Sequence, residues 1–147
     1  MKRKHLLLLA LSFLFVAGTA VAGKVGPIIS GHWEGAGQAM YVDGTSAEID
    51  NVYAELYQEG NFFSGFGIFD VTVGGVPQPQ QIGQISGHIS GNALTGVLGG
   101  CIPPAVAPDC FGAGILEGKL SGNKLTGTVV DLSDGSTSVI TLHRLTD

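Results

Sequence analysis

The stretch Ile85–Leu98, ISGHISGNALTGVL, returns 31 positions later as Leu116–Val129, LEGKLSGNKLTGTV, with seven of its fourteen positions identical. In both copies apolar and polar residues alternate on either side of a central Gly-Asn, the period of a half-buried strand. Glycine and asparagine accept positive φ, which a two-residue hairpin turn demands. With Gly91-Asn92 at the tip, Ile89 pairs with Leu94, Gly87 with Gly96, and Ile85 with Leu98. In the second copy Leu120 pairs with Leu125, Gly118 with Gly127, and Leu116 with Val129. Apolar residues meet on one face, and Ser, Thr, His and Lys fall mostly on the other. The repeat is a hairpin.

Working outward, a weaker copy turns at Gly60-Asn61 and pairs Gln58 with Phe63, Leu56 with Gly65, Ala54 with Gly67, and Val52 with Phe69. A turn at Asp134-Gly135 sets Val129 against Ile140, Gly127 against Leu142, and Leu125 against Arg144. Asp43-Gly44 joins the strand around Trp33 to one beginning near Ser46, and the broken parity there predicts a bulge near Asp50-Asn51. The sequence therefore predicts eight strands, 30–42, 46–58, 62–73, 80–89, 93–99, 112–120, 124–131 and 137–145, joined in part by longer connections over 74–79 and around 100–111. Consecutive hairpins make an antiparallel meander, and closing eight strands into an up-and-down barrel removes exposed edges. A two-sheet sandwich is the alternative. Gly65, Gly67, Gly87, Gly96, Gly118 and Gly127 all point inward, either to let strands curve or to leave a cavity.

Composition agrees with an all-β chain. Glycine contributes 24 of 147 residues, and each would cost a helix interior about 1 kcal/mol relative to alanine. Residues 1–22 read as a cleaved export signal: Lys2, Arg3 and Lys4 precede the apolar run Leu6–Val16, and Ala20-Val21-Ala22 forms a small-x-small cleavage site. The mature chain would begin at Gly23 and form one domain over 23–147, in the periplasm or secreted. Lys24, Lys119, Lys124 and Arg144 then stand against twelve carboxylates, a net charge of −8. That balance argues against nucleic acid and anionic membrane surfaces as partners. Cys101 and Cys110 read as a disulfide in an exported protein, closing a loop that holds Pro103, Pro104 and Pro108.

Gly31-His32-Trp33 on the first strand and Arg144 on the last resemble the signature of the calycin superfamily, the lipocalins and avidins. The resemblance implies a barrel opened by Gly-x-Trp, with a basic residue of the final strand packed over the tryptophan. It also implies a small apolar ligand held inside, for which Trp33, Phe63, Phe69 and Arg144 are the candidate binding residues. Biotin sites in that superfamily use several tryptophans, and Trp33 is the single one here, so the avidin function is not expected to transfer.

Chemistry is sparse. His32, His88 and His143 show no ligand spacing, so no metal or other cofactor is expected. The sequence carries no hydrolase elbow, phosphate loop or zinc-protease motif, and the reading leans toward a binding protein rather than an enzyme. Outward Ser, His, Glu, Lys and Thr in the later hairpins argue against a membrane-spanning barrel. Aromatics instead gather in one hairpin: Tyr53, Tyr57, Phe62, Phe63, Phe66 and Phe69 lie within residues 52–72, on both of its faces. That two-sided hairpin gives the second functional reading, an interaction module that binds another protein or a second copy at the barrel surface.

Overall fold

Alternating residues separated by tight turns leave each strand one neighbour before and one after, and the chain follows that rule almost throughout. The structure, a computed structural model, describes residues 27–99 and 112–146. Among these residues there is no helix. The strands are β1 (Gly31–Met40), β2 (Ser46–Glu59), β3 (Phe62–Val73), β4 (Val76–Pro77), β5 (Gln81–Ser90), β6 (Ala93–Gly99), β7 (Gly114–Ser121), β8 (Lys124–Asp131) and β9 (Thr137–Arg144). All pairings are antiparallel, and β1 lies between β2 and β9 while β2 also pairs with β3. The meander thus closes into an eight-stranded barrel, with β4 as an extra strand beside β3. The signal-like residues 1–22 and the Cys101–Cys110 loop lie outside the described residues.

The hairpins drawn from Gly91-Asn92 and Gly122-Asn123 form in the expected register, including Ile89 opposite Leu94 and Leu120 opposite Leu125. Their tip glycines, and Gly60 in the weaker copy, share a φ of 60°. The carbonyls of Asn61, Asn92 and Asn123 then accept the amides of Ile89, Leu120 and Arg144, each at 2.8 Å. The 31-residue repeat therefore builds one rim of the barrel and ties each tip to a neighbouring strand.

Four pairings differ from expectation. Val52 does not pair with Phe69, because a bulge shifts the register between Asp50 and Tyr53. Asn51 sits in that bulge with a φ of 51°. The physical reason lies at the previous turn. Tyr41 and Thr45 bond around a three-residue tip, Val42-Asp43-Gly44, with Gly44 in the left-handed region. This odd loop displaces β2 by one residue, and the bulge at Asp50-Asn51 restores it. Buried positions switch accordingly from Ala47 and Ile49 to Val52, Ala54 and Leu56.

The last hairpin is also corrected. Leu125 faces Leu142, Gly127 faces Ile140 and Val129 faces Ser138, two residues away from the expected partners. The cause is a four-residue loop, because the Asp131 amide bonds the Ser136 carbonyl instead of the chain turning only at Asp134-Gly135. Asp131 and Asp134 stabilise it by accepting the Ser133 and Ser136 amides. A shift of two keeps every side chain on its own face, so the core survives the change. Finally, the 74–79 connection folds back at Gly74-Gly75 to form β4.

The glycine stripe is a device for close approach. A Cβ added to Gly65 would lie 1.9 Å from the Glu55 carbonyl oxygen, and one on Gly87 would meet the Phe63 ring at 2.6 Å. Strands curl tightly where glycine allows it, and large residues fill the space gained. Gly65→Ala is expected to destabilise the protein by about 1–3 kcal/mol in urea unfolding. Its exposed neighbour Ser64→Ala should remain within about 0.5 kcal/mol of the parent.

Candidate functional site

Aromatic and basic residues at the two chain ends meet where β1 joins β9. Trp33 is fully buried and directly opposite Arg144, whose guanidinium carbon lies 4.6 Å from the indole centre. The indole N–H donates to the Ile29 carbonyl at 2.9 Å, and the guanidinium donates to the Ser30 and Ile28 carbonyls. Gln58 adds a clasp: its side chain accepts the Ile29 amide, and its amide donates to Ser30 Oγ. Together these bonds draw Ile29 into the barrel as a fully buried plug. This end is sealed.

The four residues read as ligand-binding do not come together in one chamber. Trp33, Phe63 and Arg144 do not line the central cavity, whereas Phe69 does, beside Ile29, Leu94 and Leu142. That cavity is wholly apolar and measures only about 60 Å³. An apolar protein cavity that admits benzene measures about 150 Å³. Among the described residues the cavity that Phe69 lines is thus smaller than a benzene-sized site, and its walls are leucines, isoleucines, valines and glycine backbone.

At the opposite end a mouth of about 300 Å³ opens above Phe69, with Tyr41, Asp131, Asp134, Ser136 and Ser138 on its walls. Its carboxylates are engaged by their own loop. Asp131 accepts from Ser133, and Asp134 from the Ser136 amide.

The outer face of β2, β3 and β5 is different. Tyr53, Ile68 and Ile82 form one row across three strands, with Phe66 one row away on β3. All four are half-buried, whereas Tyr57 and Phe62 are 59% and 69% exposed. The rings touch: Tyr53 lies 6.2 Å from Phe66 and 5.8 Å from the His32 ring, with its hydroxyl 3.0 Å from His32 Nδ1. Phe62 packs edge-on against His88. Carboxylates border the patch. Glu34 stands opposite Tyr53, Glu55 opposite Phe66, and Asp50 opposite Asp70.

Beside the β2 bulge, Glu34, Asp50, Asn51, Tyr53, His143 and Leu145 line an open groove of about 590 Å³. The crowded aromatics and the bulge were legible in the sequence, but the groove was not, because it needs Glu34 of β1 and His143 of β9 beside Asp50 of β2. Hydrogen bonds from Asn51 and Gln80 hold the Asp70 carboxyl below its ordinary value of 3.8. Bonds from Thr45 do the same for Asp43.

No protein-family model matches the chain, and no curated protein does. Among solved structures it is similar to isotype 1 transferrin binding protein B from serogroup B Neisseria meningitidis, with a TM-score of 0.41 and 15% identity. That likeness covers 86% of this chain and 27% of that one, so the chain spans about a quarter of the other's length.

Two outcomes follow from these contacts. Arg144→Ala should cost about 1–3 kcal/mol, from a half-buried cation–π contact and charged hydrogen bonds. Acrylamide quenching of Trp33 fluorescence should rise in that variant, because residues 28–30 lose their anchor. Because the Asp70 and Asp43 values are depressed on folding, the stability they contribute is complete above the ordinary carboxylate value and lost as pH falls through the lower folded values. Acid titration of thermal stability should therefore show a decline that is shallower in Asp70→Asn.

Proposed function

We propose that this chain is an exported binding module that engages a protein partner through the outer face of β2, β3 and β5. On this reading residues 1–22 are removed, residues 23–147 form the single domain, and the site of action is the periplasm or the exterior. The small interior carries the choice between the two readings made from the sequence. A barrel that carries an apolar ligand needs an apolar pocket of about 300–1,000 Å³; the wholly apolar cavity here measures about 60 Å³, and the mouth of about 300 Å³ above Phe69 has Asp131, Asp134, Ser136 and Ser138 on its walls.

The outer face has the composition that protein interfaces favour. Tyr, Phe and Ile cluster at its centre, and charged residues form its rim. Tyr53 and Phe66 suit the role of anchors because their neighbouring rings already restrict them, so little rotamer freedom is lost on binding. A lipid-facing role fits the barrel poorly. Glu34, Glu48, Glu55, Glu117, Lys119 and Lys124 are spread over the strands outside, while the interior is apolar. A membrane-spanning barrel has the reverse polarity. On this account Trp33 and Arg144 serve to close the barrel, and the calycin-like arrangement supplies a scaffold.

The test is chemical crosslinking in the native host, followed by affinity measurement with the purified partner. Tyr53→Ser combined with Phe66→Ser should leave the circular dichroism spectrum unchanged and weaken binding at least about tenfold. A partner that binds the double variant as tightly as the parent overturns the reading.

A further inference from the structure

The carboxylates beside the aromatic patch are not balanced by cations from the same strands. No Lys or Arg occurs between Lys24 and Lys119, so β1 to β6 carry none. The first three strands carry Glu34, Glu48, Asp50, Glu55, Glu59 and Asp70. Lys119 lies on β7, and Lys124 of β8 faces His143 of β9, two strands from Glu34. Arg144 is committed to the indole and to two backbone carbonyls. Among the described residues the six carboxylates of β1 to β3 stand against Arg144 on the adjoining β9 and, one strand further, Lys124 on β8, so the charge over this side of the barrel is net negative.

The charge also falls at a built concavity. The groove lies at the Asn51 bulge, and its lining includes Glu34 and Asp50 together with Tyr53. A planar guanidinium matches that combination: it bonds carboxylates in a forked geometry and stacks on an aromatic face. Two copies placed face to face would instead bring their carboxylates together, so the charge disfavours self-association through this patch.

Resting on the surface-binding reading above, we propose that the partner is a basic protein surface, one of whose arginines enters the groove between Glu34, Asp50 and Tyr53. The apolar rows Tyr53–Ile68–Ile82 and Phe66 then receive the apolar residues around that arginine. Attraction across the face speeds encounter, and the groove fixes register.

The experiment uses the mature chain and an amidated penta-arginine peptide, followed by NMR, with a penta-glutamate peptide as control. Shift changes should centre on Glu34, Asp50 and Tyr53, and the glutamate peptide should produce none. Glu34→Gln with Asp50→Asn should weaken arginine-peptide binding at least about fivefold. Glu117→Gln, on β7, should change it less than about twofold. Changes spread evenly over all carboxylates, or affinity untouched by the double variant, overturn the proposal. So does a dimer formed through this face in sedimentation. The native partner separates the two levels of the argument. If Tyr53→Ser/Phe66→Ser abolishes its binding while Glu34→Gln/Asp50→Asn leaves it intact, the basic-partner proposal fails and the surface reading stands. If the aromatic variant binds as the parent does, the surface reading itself fails.

Discussion

Closure of the sheet on itself is the constraint on which the rest of the structure depends, and Trp33 opposite Arg144 marks its seam. A meander has two edge strands, each with unpaired backbone groups. Here β1 is hydrogen-bonded to β9 on one side and β2 on the other. The guanidinium over the indole then extends this seam to Ile28 and Ser30, so the chain entering β1 becomes the plug of one end. The Trp33–Arg144 pair thus stands at the end of the eight-pair β1–β9 ladder and helps hold Ile29 in the interior.

That interior explains the chain's appetite for glycine. Phe63 reaches over Gly87, and Gly65 lets β3 approach the Glu55 carbonyl. The inward glycines serve curvature, and neighbouring side chains take up the freed volume. Little space remains for cargo, and the aromatic residues outside the wall become the more informative feature.

Much of this was written in local pattern. The Gly-Asn turns fixed the registers of the later hairpins because a two-residue loop admits one pairing, and the 31-residue repeat identified those turns. Parity near Asp50 also announced the bulge. The last hairpin was harder: Asp131 and Asp134 each accept amides of their own turn, so the loop is longer than Asp134-Gly135 alone implies. Its two-residue shift leaves the hydrophobic pattern unchanged and therefore silent. For the site, sequence placed aromatics on both faces of the 52–72 hairpin. It could not distinguish an empty barrel from a filled one, since that depends on how closely the strands curl. Nor could it place Glu34 and Asp50 in one groove, because they are brought together by the tertiary register around Asn51.

A filled barrel that works from its outer wall is the central claim, and what the protein carries from its native compartment tests it most directly. Native mass spectrometry of chain purified from that compartment should show no small molecule bound to the polypeptide. A small molecule that stays bound through purification, leaves on denaturation and protects interior residues such as Phe69 and Leu94 would contradict it.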